Sequence, residues 1–384
     1  MEPSSNYGNT VAAVEKPANY KRVSDDDLFR HSSQYRLWSF TPEQLEQKRI
    51  YTNAQTVSAV EEMLLKFRDD NLADMTEEEI RNLQEKAVPV TEEEELKLVD
   101  FYAKKVLGIA QHMNLPTEVI ATSLIFFRRF YLENSVMEID PKTIVHTTIF
   151  LACKSENYFI SVDSFAKKTK ATKEAILKYE FKILESLKFS LLNHHPYRPL
   201  HGFFLDIQSI LNGKFDVKYM GQIYERCKKR ITDALLTDVV FLYTPPQITL
   251  ATLLLEDEAL TVKYLETKFA PIKVETETKE KEENTVKKET EAKSDESVMK
   301  EEAKEELAED AKVVDPNAID FDKLMKLIAA CKEKLQIVPQ ILMDDAKSIA
   351  AKVYFCSHPN SSIQRTKRQQ ENKVDEAAEK KQKV

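Results

Sequence analysis

From about Pro42 to Phe269 the apolar positions fall at three- and four-residue intervals, so this whole stretch reads as helix. Start signals support the periodicity. Thr41-Pro42-Glu43-Gln44 offers an N-cap, a proline at the first helical position and a glutamine at the third. Thr76-Glu77-Glu78-Glu79 and Thr91-Glu92-Glu93-Glu94 repeat the capping box, in which hydroxyl and carboxylate satisfy each other's orphan amides. Pro116 opens a helix running to about Glu133 that is apolar nearly all round, as a helix surrounded by others must be. Asp140 caps a second helix of this kind, with Pro141 inside its first turn. A short helix near Ser161–Lys168 and a longer one from Thr172 to about Phe189 complete five, which makes a compact all-α domain.

The second half echoes the first. At an offset of 104, Asp140-Pro141-Lys142-Thr143-Ile144 lies over Thr244-Pro245-Pro246-Gln247-Ile248, and Pro141/Pro245, Ile144/Ile248, Thr148/Thr252 and Leu151/Leu255 coincide. The echo predicts two five-helix repeats joined near His194–Pro199. The last helix of the second repeat is expected at Phe321–Leu335, after an interruption.

That interruption is where charge changes the picture. Net charge over the 384 residues is −8, yet Lys273–Lys312 alone holds fifteen acidic and nine basic residues and no aromatic. Such a segment cannot bury enough apolar surface to offset its chain entropy and is expected to be a disordered insertion. Without it the body is close to neutral, which gives no electrostatic basis for wrapping nucleic acid. The tail from Ser361 to Val384 is weakly basic, with Lys380-Lys381-Gln382-Lys383 near its end.

Composition excludes several chemistries. The five glycines (Gly8, Gly108, Gly202, Gly213 and Gly221) are too dispersed for either phosphate-cradling loop, so a nucleotide enzyme is not expected. The four cysteines form no C-x-x-C pair, so no zinc ribbon is expected, and reduced thiols fit a cytosolic or nuclear setting. No secretory signal and no membrane-length apolar run is found, so no membrane partner is expected. His194-His195 are adjacent, the wrong spacing for two ligands on one helix face, and Pro196 makes them an inter-repeat loop. Asp25-Asp26-Asp27 reads as a solvated run, and Glu92–Glu95 as favourable charge at a helix start. No catalytic residue, metal ligand or cofactor is assigned.

Particular stretches carry a family resemblance. Phe126-Phe127-Arg128-Arg129-Phe130-Tyr131-Leu132-Glu133-Asn134-Ser135-Val136-Met137 resembles the second helix of a cyclin box in its cyclin H version. Phe150-Leu151-Ala152-Cys153-Lys154-Ser155-Glu156-Asn157 is similar to the end of the third cyclin helix. Ser32-Ser33-Gln34-Tyr35-Arg36-Leu37-Trp38-Ser39-Phe40 resembles the lead-in of fungal cyclin H, and His195-Pro196-Tyr197-Arg198-Pro199 and Leu242-Tyr243-Thr244-Pro245-Pro246-Gln247 match it too. The resemblance implies an all-α tandem cyclin-box fold, two five-helix repeats with extra terminal helices at Pro42–Phe67 and Asp344–Phe355. The segments expected are a polar N-terminus (1–40), N-terminal helices (41–90), the first repeat (91–193), the first part of the second (194–272), the acidic insertion (273–314), the last helix of the second repeat (315–340) and a terminal helix with basic tail (341–384).

The resemblance also implies function. A cyclin is a regulatory subunit, not an enzyme; it binds a cyclin-dependent kinase and holds the kinase's αC helix in its active position. The family's kinase-contacting lysine and glutamate fall here on Lys154 and on Glu180, within Lys178-Tyr179-Glu180-Phe181. Glu180 sits four after Ile176 and three before Ile183, at the rim of an apolar stripe. Arg128 stands where many cell-cycle cyclins have aspartate, so that contact is not carried over. A Met-Arg-Ala-Ile-Leu docking patch is missing from Glu92–Met113, and no arginine before residue 90 starts an Arg-x-x-Leu signal. The implied partners are a cyclin-dependent kinase catalytic subunit, a RING-finger assembly factor and the TFIIH core, with the RNA polymerase II carboxy-terminal repeat as target and the nucleus as location. The alternatives are a cyclin C-like transcriptional cyclin and a TFIIB-like promoter-binding factor, the latter requiring a basic surface and usually a zinc ribbon.

Overall fold

The structure, a computed structural model, describes residues 28–73, 75–212, 216–269, 319–337 and 340–361. The acidic insertion (273–314), Asp25-Asp26-Asp27 and nearly all of the basic tail lie outside them. The described residues are helical, with no strand among them. In chain order the helices are α1 (Ser33–Trp38), α2 (Pro42–Asn71), α3 (Glu77–Lys86), α4 (Glu92–His112), α5 (Thr117–Glu133), α6 (Pro141–Ser155), α7 (Val162–Thr169), α8 (Lys173–Leu177) and α9 (Glu180–Ser186). Then come α10 (Tyr197–Ile210), α11 (Val217–Ala234), α12 (Val239–Leu242), α13 (Pro245–Glu256), α14 (Glu258–Phe269), α15 (Phe321–Gln336) and α16 (Met343–Ser357). Two compact units result, one of residues 1–95, 126–194 and 351–384, the other of 96–125 and 195–350, so the division runs through α4, α5 and α16.

The predicted starts are present as geometry. Thr41 and Thr76 make complete capping boxes with Gln44 and Glu79, and Thr91 and Glu94 exchange the same two bonds at 3.2 and 3.3 Å. The offset of 104 also holds in space. Asp140 and Thr244 are N-caps, each followed by a buried proline, and both helices they open are buried along most of their length. In the second unit α13 is the central rod, packed by α10, α11, α12, α14 and α15. In the first unit α6 packs against α7, α8 and α9. The single helix expected from Thr172 to Phe189 is instead two. At Tyr179 the backbone relaxes to φ −105°, ψ 10°, and the helix restarts at Glu180 with no side-chain cap.

The first unit is closed by elements remote in sequence. Although only Leu45 and Val60 of α2 are buried, polar bonds tie the helix down. Lys48 pairs with Glu133 at 2.9 Å, Thr52 donates to the Leu132 carbonyl and Asn53 to the Val90 carbonyl. Near its other end, Leu64 and Phe67 pack with Leu83, Ala87 and Phe355, which brings α2, α3 and α16 together. Lys352 of α16 reaches Glu94 at 2.6 Å. The helix at Pro42–Phe67 and the second half of α16, from Ala351 on, thus belong to the first unit.

The lead-in helix α1 is anchored by a ring. Trp38 is 1% exposed, with the Arg129 guanidinium 5.1 Å and the Lys188 ammonium 5.3 Å from its ring centroid. Arg129 has no carboxylate partner among the described residues; burial pushes its guanidinium down to about 9, and the tryptophan face is what offsets that desolvation. Gln34 fixes the helix further, accepting from the His194 amide at 2.8 Å and donating to its carbonyl at 3.2 Å.

Glu95, in the first turn of α4, is a half-buried acid of the opposite kind. Burial lifts its carboxyl above the usual range, and bonds from Ser135, Asn53 and the Val136 amide offset this only in part. An acid raised in the folded state costs stability wherever it is ionised, and the cost vanishes below the unfolded value near 4.5. Glu95→Gln should therefore raise the urea midpoint at neutral pH, and the gain should shrink to nothing as pH falls through that range. A gain that persisted in acid would refute the electrostatic cause.

Candidate functional site

Sequence pattern alone leaves Lys154 and Glu180 as two charges on separate helices. The fold joins them. Lys154 is in the last turn of α6 and Glu180 is the first residue of α9; their side chains form an ion pair at 2.5 Å, the lysine about half exposed and the glutamate a quarter. The Lys154 ammonium also stands 4.8 Å from the Phe150 ring centroid, which holds its stem against the helix. Beneath the pair, Ile176 and Ile183 are fully buried, so Glu180 does stand at the edge of an apolar stripe.

Next to Glu180 the chain exposes a ring. Phe181 is 70% exposed and meets Phe189, itself 61% exposed, edge to face at 6.3 Å. Phe189 is turned outward by a left-handed pair, Lys188 and Phe189 (both φ 53°), closed by a bond of 3.0 Å from the Phe189 amide to the Leu184 carbonyl. Exposed aromatics beside an ion pair are what an interaction surface needs: area to bury and fixed polar groups to set its register. The sequence assigns no role to Phe181 or Phe189, although Phe181 stands beside Glu180 in the same motif. The signal was there, since Phe181 lies off the Ile176/Ile183 rows and no buried position of that helix accounts for it.

The remaining candidates are structural. Arg128 is 3% exposed and presents no surface charge. His195 is buried, its Nε2 2.8 Å from the Thr122 hydroxyl, and His194 serves Gln34 through its backbone. Among the described residues no three His, Cys, Asp or Glu side chains group as metal ligands, and no helix is long and apolar enough to cross a membrane. The four cysteines are free and fully buried, their thiols pushed up by burial to about 11 at Cys153 and Cys356 and about 12 at Cys227 and Cys331.

Comparison with known proteins decides the family. Residues 70–192 match the model of the cyclin N-terminal domain, and residues 195–336 that of the cyclin C-terminal domain. Cyclin CCL1 of Saccharomyces cerevisiae is 59% identical over 370 residues, spanning 96% of this chain and 91% of that protein. The chain belongs to the cyclin family. The resemblance to fungal cyclin H stands with it, and the TFIIB-like alternative falls. As a cyclin the chain is a regulatory protein rather than an enzyme. Two solved structures are similar to it as well. One is a cryo-EM structure of yeast TFIIK, the Kin28/Ccl1/Tfb3 complex, at 54% identity and TM-score 0.56, covering 80% of this cyclin and 99% of the matched chain. The other is the CAK complex of Chaetomium thermophilum bound to ATP-gamma-S, at 26% identity and TM-score 0.67, covering 91% and 96%.

Proposed function

We propose that this cyclin binds and activates a cyclin-dependent kinase through the surface around Lys154 and Glu180. The observation that carries this is the exposed ion pair with Phe181 and Phe189 beside it, in a chain similar to the cyclin of a Kin28/Ccl1/Tfb3 complex. The chemistry fits. Lys154 has donors and Glu180 lone pairs left over, enough to bond kinase backbone while each holds the other in place. The kinase would be the TFIIH kinase, its substrate the carboxy-terminal repeat of RNA polymerase II, its further partners a RING-finger assembly factor and the TFIIH core, and its location the nucleus.

The test begins with the full chain captured from cell extract. A stoichiometric cyclin-dependent kinase, and a third chain with a RING, should be identified by mass spectrometry. The reconstituted pair should then phosphorylate a polymerase repeat peptide at a rate the kinase alone does not reach. Activity on the activation segment of another cyclin-dependent kinase, with none on the repeat peptide, would overturn the transcriptional part; no stoichiometric kinase would overturn the whole.

A further inference from the structure

The second unit contains a cleft that the kinase-binding surface does not use. It has a volume of about 350 Å³ and is lined by Thr117, Glu118, Tyr197, Arg198, His201, Tyr224 and Lys228. Arg198 and His201 lie one turn apart on α10, and Lys228 faces them from α11. Arg198 and His201 are exposed, Lys228 partly so. None of these three side chains makes an ion pair or hydrogen bond among the described residues, nor does Glu118. Elsewhere on α11, Arg226 and Arg230 are both taken up by Glu256, whereas Lys218 and Lys229, like Lys228, make no ion pair among the described residues. Arg198, His201 and Lys228 are the cations that line the cleft.

The surroundings favour an anion of compact shape. The first turns of α5 and α10 both reach the cleft, and a helix N-terminus presents a positive dipole end. No side chain caps α10, whose N-cap position is Pro196. Tyr197 is fixed by a 2.9 Å bond to Thr232, and Tyr224 by edge-to-face contact with Phe204, which gives the cleft rigid aromatic walls. A guanidinium fork, an ammonium and an imidazole converging from two helices match a dianion with three acceptor oxygens better than a single carboxylate. A nucleotide would need the glycine-rich cradle the chain lacks, and a nucleic acid an extended basic stripe.

We propose that this cleft binds a phosphorylated serine or threonine side chain of a partner polypeptide. Among the lining residues Glu118 is the one opposing charge. It sits in the first turn of α5, where an acid is favoured for the helix's sake, and it tempers the affinity of the cleft. That makes the site testable in both directions.

The full chain would be passed over an immobilised degenerate phosphothreonine peptide library and over the same library with plain threonine, at fixed ionic strength. The phosphorylated library should retain it at least about tenfold better, the scale of a charge-assisted fork. Arg198→Ala and Lys228→Met should each lose about tenfold, whereas Glu118→Gln, by removing a repelling charge, should gain a few-fold. Should Arg198→Ala fold poorly, Glu118→Gln and Arg198→Lys keep both directions in view. Equal retention on the two libraries would overturn the proposal, as would retention indifferent to all cleft variants. Inorganic phosphate that competes as well as free phosphopeptide would mark a site for the free ion and overturn the polypeptide partner.

Discussion

Lys154→Ala with Glu180→Ala should weaken kinase binding by about 2–5 kcal/mol, the range for truncating a buried charge-assisted contact, and most of the loss should appear in the dissociation rate. The fold should barely respond. In the free cyclin the pair is solvent-facing, and exposed ion pairs contribute only about 0–1 kcal/mol. The single variants sharpen the expectation. Because the two side chains hold each other, each single truncation also releases its partner, so the two losses should sum to more than the double variant shows. Surface plasmon resonance against the purified kinase gives the rates, and circular dichroism the fold. Unchanged binding by the double variant would remove both residues from the interface, and strict additivity would mean the 2.5 Å pair opens when the kinase docks.

The largest effect on stability is expected at Trp38→Ala, a loss of about 3–5 kcal/mol from the first unit, typical of emptying a buried large aromatic. Cavity formation is only part of it. The ring is also the face over which the buried Arg129 guanidinium lies, and its removal leaves that cation with neither carboxylate nor π partner. Trp38→Phe should lose clearly less. Arg129→Met should be neutral or stabilising, because an apolar chain of similar length needs no such compensation. Urea unfolding followed by far-ultraviolet circular dichroism checks all three, with the transition of the first unit compared by itself. A Trp38→Ala loss under about 1 kcal/mol, within the range of an ordinary surface substitution, would mean α1 is not anchored there.

What the sequence disclosed is largely what acts over a few residues. The caps at Thr41, Thr76, Thr91 and Asp140 couple groups two or three residues apart, and the prolines at 141 and 245 act inside one turn; all were legible. The break at Tyr179 was not, because α8 and α9 each have the right period and only a local dihedral change separates them. Arg128 and Arg129 look like charges on an apolar helix. That both are buried depends on tertiary contacts, for Arg129 on a ring ninety-one positions earlier in the chain. The candidate pair shows the same limit. Family resemblance singled out Lys154 and Glu180, but their mutual bond spans 26 positions and belongs to the packing of α6 against α9.

The distribution of the buried thiols has a use of its own. Cys153 and Cys356 belong to the first unit and Cys227 and Cys331 to the second, and none is accessible in the native state. Each unit thus carries two built-in reporters that a disulfide reagent reaches only when that unit opens. Labelling resolved by mass would give the opening free energies of both halves from one unmodified chain. With kinase bound, protection confined to Cys153 and Cys356 would locate the partner's stabilising effect without any structure of the complex.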